Sequence, residues 1–230
     1  FAAMLTDLPG PPLNETIPDF HTTPKRFKTF IEVLQRDPCN RAKDVQAEID
    51  FILENACICD VLLNHADKDE IPVRVTHNDT KINNVLLDAK THEGVCVIDL
   101  DTVMPGLSLY DFGDMVRTAT NPAEEDERDL SKVMMRMPIF EMLLRGFAEE
   151  THAFLTPTEK KNMVFAGKLI TFEQMIRFGA DHLAGDIYYK IHREGHNLDR
   201  CRTQMKMVQS IIAREEAMNA LADSVFEELS

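Results

Sequence analysis

The run His77-Asn78-Asp79-Thr80-Lys81-Ile82-Asn83-Asn84, followed by Val97-Ile98-Asp99-Leu100-Asp101, constrains this chain more than any other feature. It has the form H-x-D-x(4)-N, and a second Asp closes an apolar run 20 positions after Asp79 (99 minus 79). Strand-like residues flank both blocks: Val73-Arg74-Val75 before the first, Val85-Leu86-Leu87 after it, and Val95-Cys96-Val97-Ile98 before the second. Two short strands, with a polar loop before them and a carboxylate after them, are expected to hold Asp79, Asn84 and Asp99 around one point. Such a grouping suits phosphoryl transfer, which needs a carboxylate to orient a hydroxyl and oxygen ligands for magnesium. Asp79 would sit by the acceptor hydroxyl, and Asn84 and Asp99 would hold the metal that bridges the phosphates. H-x-D-x(4)-N alone has only three fixed positions and arises by chance, and an Asp closing a strand also serves as a turn residue. The coincidence of spacing, strand context and Ile98-Asp99-Leu100-Asp101 is what favours kinase chemistry.

These residues resemble the aminoglycoside phosphotransferase and choline kinase superfamily, small-molecule relatives of protein kinases, and within it the bacterial N-acetylhexosamine 1-kinases. The likeness is carried by Val75 to Leu86, by Ile98 to Gly106, by Asp111-Phe112-Gly113-Asp114, and by a fourth stretch from Arg177 to Arg200. It spreads from about Leu8 to about Met207, and the sugar 1-kinase likeness rests on Thr102 and the fourth stretch. The resemblance implies a mainly α fold with a small β-hairpin element, the carboxy-terminal lobe of a protein-kinase-like architecture. It implies ATP and Mg2+, and transfer of the γ-phosphoryl group to the anomeric hydroxyl of an N-acetylhexosamine. Asp79 would orient that hydroxyl and take its proton; Asn84 and Asp99 would hold magnesium, with Asp101 a further candidate ligand. Thr102, Arg177 and Tyr188 match sugar-contacting positions, which fits hydrogen-bonding side chains with an aromatic wall. Read by composition alone, Arg177, Asp181, Asp186 and Tyr188 form a solvated face at the end of an apolar helix. Lys81 is a candidate phosphate contact or equally a solvated loop lysine. His77 is expected to brace the loop.

Asp111-Phe112-Gly113 spells the metal-binding triplet of protein kinases, but it lies 32 residues after Asp79 (111 minus 79), and Asp99 already occupies the metal position. Asp111 is therefore expected to be structural, opening a helix and bonding backbone near the catalytic loop as short carboxylates do at helix starts.

The rest of the chain reads as helices. Thr23-Pro24 starts one, with Phe27, Phe30, Ile31 and Leu34 inward. A second runs from about 42 to 63 with Val45, Ile49, Ile52 and Leu53 inward. Further helices are expected from Asp111 to about Thr118, from Pro138 to about Glu150, from the Thr156-Pro157-Thr158-Glu159 cap to Gly185, and from about Leu198 to Leu229. Residues 121–127 form an acidic surface loop, and the 12 Met residues serve as core filler. At 230 residues without repeats or low-complexity linkers, the chain reads as one domain.

The net charge of −14 argues against nucleic acid and anionic membranes as partners, and no apolar run is long enough to span a bilayer. The oligomeric state is not legible. The five cysteines are odd in number and scattered, which suits reduced, mostly buried thiols in the cytoplasm. No pattern of Cys or His suggests a structural metal. The start at Phe1, without a basic-then-apolar segment, suggests a cut chain with no signal peptide. About 70 residues precede His77 and contain no G-x-G-x-x-G, Walker or V-A-I-K pattern. The expectation is a carboxy-terminal lobe whose amino-terminal nucleotide lobe is absent, so that residues 1–230 alone are inactive.

Other readings stay open. An aminoglycoside would suit an acidic cleft, whereas choline calls for an aromatic cage that a chain with no Trp and three Tyr is poor in. A metal-dependent hydrolase of sugar esters would also use paired Asp, although Cys39-Asn40-Arg41 does not provide a sulfatase formylglycine motif. A non-catalytic binding module is disfavoured by the presence of Asp79, Asn84 and Asp99 together.

Overall fold

A computed structural model describes residues 1–6 and 8–229. Helices dominate: α1 (Ala2–Leu5), α2 (Thr23–Arg36), α3 (Gln46–Glu54), α4 (Val61–Ala66), α5 (Ser108–Ala119), α6 (Met137–Thr151), α7 (Pro157–Lys161), α8 (Met163–Ala184), α9 (His196–Ile212) and α10 (Glu215–Glu228). Four short strands make two antiparallel pairs. β1 (Arg74–Thr76) pairs with β4 (Met104–Gly106), and β2 (Val85–Leu87) pairs with β3 (Gly94–Val97). This agrees with a largely helical fold carrying a small β element and is compatible with a kinase-like lobe. β4 was not anticipated, because Met104-Pro105-Gly106 lacks strand composition; pairing with β1 supplies what propensity does not.

The core is organised along α8. Its amino-terminal half places Met163, Val164, Leu169 and Ile170 in one apolar cluster with α5, α6 and α10. Its carboxy-terminal half places Phe172, Met175, Ile176 and Phe178 in a second cluster with α2 and α3. Burying a side chain such as Phe172 or Ile176 is worth about 1.5–3 kcal/mol. No described helix is long and apolar enough to cross a membrane.

The expected helix boundaries need three corrections. The helix anticipated over 42–63 is broken into α3, α4 and 3-10 turns. That anticipated from Thr156 to Gly185 divides at Asn162, and that from Leu198 to Leu229 divides after Ile212. At three of these breaks a side chain donates to the carbonyl four residues back: Asn55 to Phe51 (2.8 Å), Asn162 to Thr158 (2.8 Å) and Arg214 to Ser210 (3.2 Å). Local side-chain bonds of this kind compete with helix continuation. Leu53 is 42 % exposed and does not face inward as expected, while Val45, Ile49 and Ile52 are buried. Cys39, Cys57 and Cys96 are exposed, so the thiols are not mostly buried; all five are free. The acidic loop 121–127 is pinned rather than simply solvated, with Asp126 on Arg193 (2.6 Å) and His196 (2.9 Å), and Glu125 on Arg117 (3.1 Å).

The anticipated cap at Thr156 is present in full. Thr156 Oγ1 accepts from the Glu159 amide (3.1 Å) and Glu159 Oε2 accepts from the Thr156 amide (2.7 Å). Glu159 is fully buried and also accepts from the Arg74 guanidinium, so α7 anchors the strand that leads into the loop from His77 to Asn84.

Gly113 shows why the Asp-Phe-Gly triplet is misleading. It lies inside α5, where a Cβ would meet the Ala166 carbonyl oxygen at 2.6 Å and Ile170 Cγ1 at 2.7 Å. The missing side chain lets α5 and α8 pack closely, and no hinge is involved. Gly113→Ala is expected to destabilise the chain by about 1–3 kcal/mol through overpacking, measurable by urea unfolding. An unchanged midpoint would show that the helices separate freely.

Candidate active site

The residues from His77 to Asn84 leave β1 as a polar loop held from three sides. From α5, the Asp111 carboxylate accepts the amides of His77 (3.0 Å) and Asn78 (2.7 Å), and the Asp111 carbonyl accepts the Thr80 hydroxyl. Asp111 thus lies in the first turn of α5 but does not cap its own helix; its carboxylate serves the loop. Burial pushes its carboxyl up to about 6, and the two amide hydrogen bonds keep it from rising further. From the hairpin side, His77 Nδ1 accepts the Asp79 amide (3.3 Å) and Nε2 donates to the Ile98 carbonyl (3.1 Å). That pattern selects the Nε2-protonated tautomer and makes His77 a brace between the loop and the end of β3.

The third support was not foreseen. His21, just before α2, is buried with Nδ1 2.8 Å from Glu173 Oε1 of α8 and Nε2 2.9 Å from the Asn78 carbonyl. Both ring nitrogens face acceptors, an arrangement that favours the doubly protonated imidazolium. Burial works against this charge, but Glu173 and the Asn78 carbonyl outweigh it and raise the His21 pKa. Thr23, the first residue of α2, completes the cluster, its hydroxyl donating to Glu173 Oε2 (2.6 Å). One signal in the sequence pointed here: Glu173 is a lone acid within the apolar run Val164–Phe178, where a buried charge must be paired.

Asn78 adopts a left-handed backbone (φ 66°), and its side-chain amide donates to the Thr102 carbonyl (2.9 Å). The turn presents Asp79, whose Oδ2 receives Lys81 Nζ (2.7 Å) and Asn84 Nδ2 (2.9 Å). Asp79 Oδ1 takes no hydrogen bond from the described residues. Asn84 Nδ2 also donates to the Asp79 carbonyl (2.8 Å), which leaves Asn84 Oδ1 available as an oxygen ligand. Asp99, left-handed at φ 62°, ends the segment after β3 and sets its carboxylate 3.9 Å from the same Lys81 ammonium. Lys81 thus contacts the carboxylates of both Asp79 and Asp99, and Asn84 contacts Asp79, so these four residues form one cluster.

The remaining candidates lie around it. The Asp101 side chain is exposed and hydrogen-bonds to none of that cluster; only its carbonyl is engaged, by Thr16 (2.9 Å). The Thr102 hydroxyl is buried without a hydrogen-bond partner among the described residues. Arg177 and Tyr188 stand elsewhere, in a cavity of about 420 Å³ between α2 and the end of α8 that no catalytic-loop residue lines. The link between the two regions is aromatic. Arg177 Cζ lies 5.5 Å from the Phe20 ring, and Phe20 is 4.7 Å from His21. Asp181 and Asp186 are scaffolding: Asp181 accepts the amides of Ile187, Tyr188 and Tyr189, and Asp186 pairs with Arg41 at 2.6 Å. A second, largely apolar cavity of about 360 Å³ adjoins His77, Thr80 and Asn84 from the side of α1 and α6.

The model of the phosphotransferase enzyme family (APH) matches residues 1–132, a span that contains the whole cluster. The chain belongs to that family. As an APH-family chain it is of the kinase type, a small-molecule phosphotransferase with ATP as co-substrate. The donor set also fits a magnesium ion: one exposed carboxylate, Asp99, and one amide oxygen, Asn84 Oδ1, are hard oxygen ligands of the kind Mg2+ takes alongside substrate phosphates. Among the described residues no group of three or more His, Cys, Asp or Glu could hold a metal ion.

Proposed function

We propose that this APH-family chain transfers the γ-phosphoryl group of ATP to the anomeric hydroxyl of an N-acetylhexosamine. The observation that carries the reading is the state of Asp79. One carboxylate oxygen is held by Lys81 and Asn84, and the other takes no hydrogen bond. A carboxylate fixed in this way orients an acceptor hydroxyl on its open oxygen and accepts its proton as the new O–P bond forms and ADP leaves. Asn84 and Asp99 would hold magnesium, which would supply charge neutralisation at the phosphates. Lys81, paired with Asp79 and 3.9 Å from Asp99, would counter the charge of the transferred group. The exposed apolar side chains of Ile82, Leu86 and Val95 around the β2–β3 hairpin support an apolar surface for the nucleotide base.

Thr102, Arg177 and Tyr188 serve as sugar contacts in this reading. The unpartnered Thr102 hydroxyl supports the first, since a buried hydroxyl without a partner is costly unless a ligand satisfies it. Arginine in the cavity around Tyr188 also favours a neutral or anionic acceptor over choline or a polycationic aminoglycoside. The test is ADP release by the intact enzyme with N-acetylglucosamine, N-acetylgalactosamine, choline and kanamycin. Turnover at about 1–100 per second is expected with the two sugars only, with loss of their reducing ends. Transfer to choline or kanamycin, or a product phosphorylated away from the anomeric carbon, overturns the assignment.

A further inference from the structure

The cavity between α2 and α8 holds a concentration of positive charge that the transfer reaction does not require. Of the 13 arginines in the chain, eight lie within 4 Å of a carboxylate; Arg26, Arg36, Arg136, Arg177 and Arg214 have no such partner among the described residues. Three of these five line this one cavity: Arg26 and Arg36 from α2, and Arg177 from α8. Their bonds are all to neutral groups. Arg26 Nη2 donates to the carbonyls of Asp19 (3.2 Å) and Phe20 (3.0 Å), and its Nε is buried without a partner. Arg36 Nε donates to the Glu32 carbonyl (3.1 Å), and Arg177 Nη1 to the Gln174 amide oxygen (3.2 Å).

The one acid in the lining does not neutralise them. Asp181 already accepts three backbone amides and the Asn197 side chain (2.8 Å), which together hold the Tyr188–Tyr189 turn. Guanidinium groups do not shed their protons, so clustered arginines repel one another unless an anion joins them. In a chain of net charge −14, three arginines without an ion pair within 4 Å around one cavity go against the overall balance; Arg26 and Arg177 feel the longer-range charges of Asp19 and Glu173. Tyr188, 73 % exposed, stacks edge-on against Tyr189 at 4.8 Å and offers a flat apolar face at the cavity.

We propose that this cavity binds an anionic monosaccharide, with a carboxylate, sulfate or phosphate group taken by Arg26, Arg36 and Arg177 and the ring set against Tyr188. Arg177 and Tyr188 are shared with the acceptor contacts proposed above, whereas Arg26 and Arg36 are not, so the proposal extends that reading to the acidic members of the sugar class. Guanidinium forks match these oxyanions in shape as well as charge.

Binding is measured calorimetrically on the full chain with N-acetylglucosamine 6-sulfate, glucuronate, N-acetylglucosamine and inorganic sulfate. The two anionic sugars are expected to bind at least about tenfold tighter than the neutral sugar, an advantage that shrinks as salt is raised. Arg26→Gln with Arg36→Gln should erase that advantage and leave neutral-sugar affinity unchanged. Arg36 is exposed, so Arg36→Gln alone keeps the fold and should lower anionic-sugar affinity about threefold. Equal affinity for charged and neutral sugars, or an advantage that survives the double substitution, overturns the proposal. Inorganic sulfate binding as tightly as the sulfated sugar overturns the role of the ring. No phosphoryl transfer enters this readout, so failure of the kinase assay and failure of this proposal are separate results.

Discussion

Asp79→Asn is expected to lower kcat of the intact enzyme by about 10²–10⁴-fold, the range a positioned acid–base group supplies, while ATP affinity stays nearly unchanged. In the proposed reading the Oδ1 of Asp79, which takes no hydrogen bond from the described residues, would address the acceptor, while the other oxygen is taken up by Lys81 and Asn84. Asp99→Asn should also cut turnover, but through the metal, so nucleotide binding loses its dependence on magnesium concentration. Steady-state kinetics combined with nucleotide titrations at several magnesium concentrations separate the two. Equal loss of nucleotide affinity in both variants would mean that the roles of the two carboxylates are wrongly divided.

His21→Ala should be the most damaging substitution outside the cluster itself. It leaves Glu173, whose side chain is only 1 % exposed, with Thr23 alone to satisfy it, and breaking a buried pair from one side costs about 3–5 kcal/mol. It also frees the Asn78 carbonyl, so kcat should fall more than the KM for ATP rises. The pH dependence follows from the direction of the shift. The folded-state pKa of His21 is raised above 6.5, so its contribution is fully present below 6.5 and is lost as pH rises through the raised value. Around it stand Glu173 and Arg177 on α8 and Tyr110, Asp111 and Asp114 on α5, and Glu173 dominates among the charges that hold the proton. Urea unfolding of the parent and of His21→Ala at pH 6 and pH 9 should show the gap between them narrowing at pH 9. A gap of the same size at both values would mean that His21 is neutral in the fold.

The cluster around Asp79 was legible because its parts are close in sequence. A strand, a loop of fixed length, a hairpin and a terminal Asp leave little freedom, so the spacing of Asp79, Asn84 and Asp99 nearly determines their convergence, and Lys81 follows from being two residues away. The capping box at Thr156 and the glycine that ends α8 were legible for the same reason, since cap chemistry is local. Helix continuity was less so. Asn55, Asn162 and Arg214 interrupt patterns whose hydrophobic period continues across them, and only the side-chain bonds to carbonyls four residues back reveal the breaks.

By itself the sequence pointed to the grouping of Asp79, Asn84 and Asp99 and to the bonding of Asp111 to backbone near that loop, both set within some thirty residues of chain, and to the predominance of helix. Tertiary structure alone decided the rest. The His21–Glu173 pair spans 152 positions, and Arg26 and Arg177 meet across one cavity only because α2 lies against α8. Which charges find partners depends on the packing of distant helices, so the residues that clamp the catalytic loop, and the three arginines left unpaired beside Tyr188, appear only once the chain is folded.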